Sequence, residues 1–292
     1  MNERVIPPSE LIINDDGSIF HLHLRPEELA ETVVLVGDPG RVNLIAEFFD
    51  SIEFRRESRE FNSFTGCYCG KRMTVLSTGI GLGNIDITMS ELDALANIDL
   101  TSRTVKGEVK QLTIVRFGTS GALQEDLQIG DLLFARTSIG FDGVLSYYAG
   151  SEKICDAEMM SAFEQHVCWS RRFPPVYAVD ADEELLKLFA DSTKEGITIA
   201  SPGFYAPQGR SLRINPADME LNNKIESFKF NDRRVTNYEM ESSLIAGLAK
   251  LMGHRAATIC TIIAQRTKGE ANVDYKESII RGIKVVLDKL AK

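Results

Sequence analysis

Apolar residues in this chain fall into two kinds of run: short unbroken ones, which predict buried strands, and ones spaced three or four apart, which predict helices. The most informative run opens residues 112–133, LTIVRFGTSGALQEDLQIGDLL. Its first four residues are uniformly apolar, as in a strand buried on both faces of a sheet. The run stops at Arg116, and Phe117-Gly118-Thr119-Ser120-Gly121 reads as a glycine-relaxed loop that gathers hydroxyls and N–H groups beside a guanidinium. An arginine at the exit of a buried strand either meets an anion or pairs with an internal carboxylate, and this stretch alone leaves both open. Open α/β sheets place their ligands at such strand ends.

The same grammar recurs along the chain. Residues 33–36 predict a strand ended by Gly37, after which Asp38 suits an N-cap, Pro39 the first helical position, and Val42, Ile45, Ala46 and Phe49 a helix face. Arg41 then falls in the first turn of that helix, near free N–H groups and the positive end of its dipole. Residues 65–77 predict two strands about a turn at Gly70-Lys71, and Ile85, Met89, Leu92 and Leu95 stripe a helix over 84–97. Further strands are predicted at 131–137, 196–200 and 256–264. Helices are predicted at 182–190 and 244–251, and a closing one carries Ile279, Ile283, Val286 and Leu290.

Other segments read less regularly. Alternation at 19–24 predicts a half-exposed strand with His21 and His23 on one face. Residues 53–64 read as a solvated charged edge holding Arg55, Arg56 and Arg59, 98–110 as a polar loop, and 138–175 as irregular surface structure. Residues 235–243 lead into a helix, whose start aims Glu239 and Glu241 in different directions. The loop 201–210 combines turn formers with Phe204, Tyr205, Gln208 and Arg210, a make-up common in ligand-reading loops.

Composition narrows the chemistry. The 292 residues admit a large core in one or two domains, and 42 acidic against 33 basic side chains give a net charge of −9. That balance disfavours nucleic acid or an anionic membrane as the main partner. No apolar run reaches the roughly 18 residues that span a bilayer, and the amino end lacks a signal-peptide pattern, so a cytoplasmic protein is expected. Five cysteines and four scattered histidines form no metal-ligand spacing; Cys67 and Cys69 fall on one face of a strand, and buried or half-buried free thiols are expected. Glycines at 79, 81 and 83 miss the dinucleotide-binding spacing.

Taken together, GDPGRV, SREF, STGIG, RFGTSGALQEDLQIGDLL, FYAPQGR and NYEMES stand in an order that resembles the nucleoside phosphorylases, from about Phe20 to Arg266. The resemblance implies one α/β domain over residues 1–292, with 1–18 as an amino-terminal extension and a mixed, partly barrel-like central sheet flanked by helices. It implies a hexamer built from dimers and phosphorolysis of a pyrimidine nucleoside, uridine, with inorganic phosphate as co-substrate. By motif, Gly37, Arg41, Arg116, Gly118 and Thr119 resemble the phosphate site, joined by Arg59 from a neighbouring subunit. His21, also from the neighbour, resembles a ribose 5′-hydroxyl contact, while Met240 and Glu241, with Glu239 beside them, resemble the ribose floor. Gln208 and Arg210 resemble the reader of the uracil edge, with Phe204 packed on the base. Glu60 and Ser77 match positions that hold a monovalent cation, potassium, in some members.

Arg116, Glu241, Gln208 and Arg210 are thus the expected catalytic set. Purine-directed relatives place an aspartate after the last strand, where this chain has Ala264-Gln265-Arg266. A purine phosphorylase, a hydrolytic nucleosidase and a catalytically silent nucleoside-binding protein are the competing readings.

Overall fold

A computed structural model describes residues 4–271 and 274–292 of the chain. In order its first elements are β1 (Thr32–Val36), α1 (Pro39–Ala46), β2 (Ser51–Ser58), β3 (Phe61–Tyr68), β4 (Lys71–Ser77), α2 (Leu82–Asn97), β5 (Ile98–Asp99), β6 (Thr104–Val105), β7 (Thr113–Ala122) and β8 (Leu132–Gly140). There follow α3 (Ala157–Val167), β9 (Tyr177–Asp180), α4 (Glu183–Phe189), β10 (Lys194–Ala200), α5 (Leu221–Ser227), β11 (Lys229–Phe230), β12 (Arg233–Glu239), α6 (Ser242–Met252), β13 (Arg255–Gln265), β14 (Glu270–Ala271) and α7 (Lys276–Leu290).

The main sheet runs β11-β12-β10-β8-β13-β7-β1-β4-β3-β2, and an extra pairing of β12 with β7 closes β12, β10, β8, β13 and β7 into a five-stranded barrel. The expected mixed, partly barrel-like sheet in a single α/β domain is therefore present. Pairing is parallel for β1 with β4 and β7, for β10 with β8 and β12, and for β13 with β7; β12 meets β7 antiparallel. Alternate residues of the central strands feed two cores. Val33, Leu35 and Ile114 pack with Ile85 and Met89 of α2 and Leu244 and Leu248 of α6. Val34, Val36, Val115 and Phe117 pack with α1 and α7, including Ile45, Ile279 and Ile283. Among the described residues no helix is long and apolar enough to cross a membrane.

Several segments differ from the sequence expectation. β7 does not stop at Arg116: it continues to Ala122 because β13 pairs with it from Thr113 to Ala122, holding the glycines and hydroxyls in extended form. Residues 235–239, read as the approach to a helix, finish β12, since Val235, Asn237, Tyr238 and Glu239 pair with β10. Residues 53–64 include most of β2, which is indeed the edge of the sheet, and β3 begins at Phe61 rather than Thr65.

Residues 138–175 are not wholly irregular, for they hold the end of β8 and all of α3, whose Asp156 cap and buried Met159, Phe163 and Val167 give it an ordinary amphipathic face. Residues 19–24 form a bridge and turn rather than a strand, although Leu22 and Leu24 are buried. Residues 98–110 carry the β5–β6 hairpin, and Arg103 there donates to the Leu11 carbonyl while its own carbonyl accepts from Ile6, so the hairpin seats the amino-terminal segment. All five cysteines are free, as expected, but Cys69 lies in the turn after β3 and is exposed, as is Cys168.

Candidate active site

The site arises where β7 changes partner. On one side β7 pairs with β1 only as far as Phe117, opposite Val36, and it meets β12 only at Gly121 and Ala122. Between them Gly118, Thr119 and Ser120 pair with no strand on that side among the described residues, and a cleft of about 830 Å³ opens there. β1 leaves the fork through Gly37 into α1, and β12 leaves it through Met240 into α6, so both exits deliver side chains to the same space. Of the residues predicted from motifs, Gly37, Arg41, Arg116, Gly118, Thr119, Phe204, Gln208, Arg210, Glu239, Met240, Glu241 and Glu60 line this one cleft.

On the α1 side, Asp38 caps the helix by accepting from the Gly40 N–H at 2.8 Å, as expected. That fixes Arg41 in the first turn, where its guanidinium donates to the Phe117 carbonyl at 3.2 Å. Burial, and then the charge of Arg116, make the Arg41 cation less comfortable than an ordinary arginine. An anion placed between the two guanidiniums offsets both the burial and the repulsion.

Arg116 is buried on the sheet face covered by α2 and α6, and the starts of those two helices surround it. It donates to Glu241 and lies 3.5 Å from Glu239, so the internal carboxylate left open by the sequence is realised twice. Burial opposes its charge, but Glu241 and Glu239 outweigh that and hold the proton more firmly than usual. The two carboxylates converge instead of diverging because Glu239 ends a strand whereas Glu241 opens a helix. Glu239 accepts the N–H groups of Glu241 and Ser242 at 2.9 Å and the Ser242 hydroxyl at 2.6 Å, capping α6. Glu241 is almost wholly buried, and burial pushes its carboxyl up despite the opposing pull of Arg116. Gly118 has a local reason to be glycine: a Cβ there would stand 2.2 Å from Arg116 Nη1, so any side chain displaces the guanidinium.

At the far end, the loop between β10 and α5 carries the base-type residues. Arg210 stacks 3.8 Å from the Phe204 ring and donates to the Phe204 carbonyl and to Gln208 Oε1, each at 2.5 Å. Gln208 is buried while Phe204 is half exposed, which gives a fixed amide beside an adjustable ring. Gly209 takes a φ of +70°, and a Cβ there would collide with Asn222 at 2.1 Å. Asn222 in turn donates to the Gln208 carbonyl at 3.1 Å and accepts from the Tyr238 hydroxyl at 3.0 Å, tying the loop to β12.

The site also holds residues that sequence reasoning passed over. Arg266 donates to the Gln208 carbonyl, lies 4.9 Å from the Tyr238 ring, and keeps Nη1 buried with no hydrogen-bond partner among the described residues. Its signal was present: like Arg116 it is an arginine next to a buried strand. Burial, and then Arg266, pull Arg210 below the usual arginine range, so this end of the cleft favours negative charge. Gln265, just after Ala264, donates to the Gln124 and Leu127 carbonyls at 2.7 Å and accepts from Thr267, so its amide is occupied and brings no carboxylate to the cleft.

His21, Arg59 and Ser77 lie outside the cleft. His21 Nδ1 is 2.6 Å from Glu91, and its ring meets Phe20 edge-on at 4.7 Å. Arg59, exposed at the β2–β3 turn, lies 5.9 Å from the same Phe20 ring, so the two form one surface group. Ser77 Oγ donates to the Glu60 carbonyl at 2.6 Å and accepts from the Asn62 N–H at 2.8 Å. Ser77 thus ties the end of β4 to the backbone on either side of Phe61, while Glu60 lines the cleft.

The sequence profile of the phosphorylase superfamily matches residues 31–290, and the chain belongs to that family. It is 30% identical over 264 residues to the uridine phosphorylase of Thermococcus kodakarensis, covering 88% of this chain and 80% of that one. It is 27% identical over 280 residues to the guanosine phosphorylase of Halorubrum lacusprofundi, covering 92% and 96%. The crystal structure of Trypanosoma brucei nucleoside phosphorylase, described as showing uridine phosphorylase activity, superposes with a TM-score of 0.85 at 28% identity, covering 96% of this chain and 99% of that one.

Proposed function

We propose that the protein catalyses reversible phosphorolysis of uridine, releasing uracil and ribose 1-phosphate, as a cytoplasmic enzyme of pyrimidine salvage. The observation that carries this reading is the fork, where Arg41, Arg116, Glu241 and the Gln208–Arg210 pair all line a single cleft. Arg41 and Arg116, with the backbone at Gly37, Gly118 and Thr119, hold phosphate beneath C1′, so attack becomes a matter of positioning. Glu241 accepts from the ribose hydroxyls, over a floor made by Met240 and Glu239. As the glycosidic bond opens the ribose gains positive charge, which phosphate and Glu241 stabilise, while the base leaves with negative charge.

Gln208 meets the imide edge with a donor and an acceptor, and Arg210 stabilises charge on O4. No general acid is needed for a base that leaves as a delocalised anion. The absence of a carboxylate at Gln265 and the amide–guanidinium pair both favour a pyrimidine over a purine. Water as nucleophile needs no cluster of cations, which counts against a nucleosidase. Arg59 and His21 act in the cleft of a neighbouring subunit of a hexamer built from dimers.

The reading is tested by offering uridine and inosine separately in phosphate buffer. Uracil release is expected to exceed hypoxanthine release by at least about a hundredfold in kcat/KM, because the wrong base leaves the site's buried polar groups unpaired. Equal or greater release of hypoxanthine overturns the pyrimidine assignment.

A further inference from the structure

Glu241 does not fix its own orientation. The N–H groups at the start of α6 are taken by Glu239, so the Glu241 side chain caps nothing. Two donors from distant parts of the chain hold it: Arg116 Nη2 on Oε2, and the backbone N–H of Gly81 on Oε1 at 2.7 Å. A carboxylate offers about four acceptor directions, two on each oxygen. These two hydrogen bonds take one direction on each oxygen and leave an acceptor on each, with the Met240 N–H also lending its positive end to the carboxylate. That is a pair of adjacent acceptors, the arrangement a vicinal diol requires.

Gly81 reaches Glu241 through the turn between β4 and α2. The Thr78 N–H donates to the Val36 carbonyl at 2.8 Å, pinning the turn to the end of β1. Gly79 and Gly81 take φ of +69° and +97°, and the reversal leaves Ile80 75% exposed at the cleft while the Gly81 N–H meets Glu241. A φ of +97° with ψ of 168° is open only to glycine. Space is not the reason, since a Cβ at Gly81 would meet nothing within 4 Å. The residue is glycine for the direction of its N–H, which carries with it the positive end of the α2 dipole.

We propose that Gly81 is a positioning residue for the diol-binding carboxylate and so sets how strongly the enzyme prefers a ribonucleoside over its 2′-deoxy counterpart. The proposal rests on the uridine phosphorolysis reading above. When the N–H is turned away, the Glu241 carboxylate rotates about its last bond and the two acceptors lose their register. A substrate that engages both oxygens loses more than one that engages a single oxygen.

Gly81→Ala is therefore expected to lower kcat/KM for uridine about tenfold, the order of one charge-assisted hydrogen bond, and for 2′-deoxyuridine less than about threefold. Gly83→Ala, on helical backbone with open space around it, is the control expected to change neither. Wild-type enzyme that releases no uracil with phosphate present overturns the functional reading itself. Wild-type turnover combined with equal losses on the two substrates, or no loss, overturns the role of Gly81. If Gly81→Ala does not fold, Gly79→Ala moves the same turn, because its Cβ would press on Asn84 Nδ2 at 2.7 Å. The same comparison then decides with the same outcomes.

Discussion

Arg116→Ala is expected to lower kcat/KM for phosphorolysis by at least about a thousandfold and to lower stability at the same time. Both effects follow from where the guanidinium sits. It touches the proposed phosphate position on one side and the carboxylates of Glu241 and Glu239 on the other, with 7% of its side chain exposed. Its removal leaves two carboxylates in a buried site without their counter-charge, a change that costs about 3–5 kcal/mol. Glu241→Gln in the Arg116→Ala background is expected to recover much of the melting temperature but none of the turnover, which separates the two effects. Thermal melts and steady-state rates on the single and double variants provide the check. Turnover that survives in a folded Arg116→Ala enzyme contradicts the placement of the anion.

Arg59→Ala is expected to reduce turnover by about a hundredfold without changing stability, since the residue is exposed and lies outside its own chain's cleft. The more searching experiment mixes it with Arg116→Ala. Neither protein alone turns over at more than a few per cent of the wild-type rate on this account. If each cleft borrows Arg59 from its dimer partner, a mixed dimer contains one cleft with both arginines intact and one with neither. Random reassociation from an equal mixture then regains roughly one quarter of the wild-type rate. Failure to regain activity after verified subunit exchange contradicts the shared site, as does an Arg59→Ala enzyme with unchanged rate.

The strands and helices with uniform apolar runs or clean stripes could be read from the sequence because burial on both faces, or on one helical face, writes itself directly into residue type. The central sheet residues 33–36 and 256–264 and the stripe from Ile85 to Leu95 are of this kind. What could not be read was decided by partners far away in the chain. Gly118, Thr119 and Ser120 have the composition of a loop, yet β13 holds them in a strand, and the site is a fork between β1 and β12 rather than a strand exit. Glu239 and Glu241 look like successive residues of one helix start, yet a strand ends between them and Arg116 draws both in. Arg266 follows a buried strand much as Arg116 interrupts one, but only the fold brings it over Tyr238 and onto the base loop. Gly81 belongs to the STGIG motif, but nothing in its type or spacing tells what it does, because what matters is the direction of its N–H.

On the proposed function the cleft uses phosphate, not water, to open a pyrimidine nucleoside. The most direct test incubates the purified protein with uridine, with and without inorganic phosphate, and quantifies uracil, ribose 1-phosphate and free ribose. Equal amounts of uracil and ribose 1-phosphate are expected when phosphate is present, and no uracil when it is left out. Release of uracil with free ribose at the same rate in both samples contradicts that function.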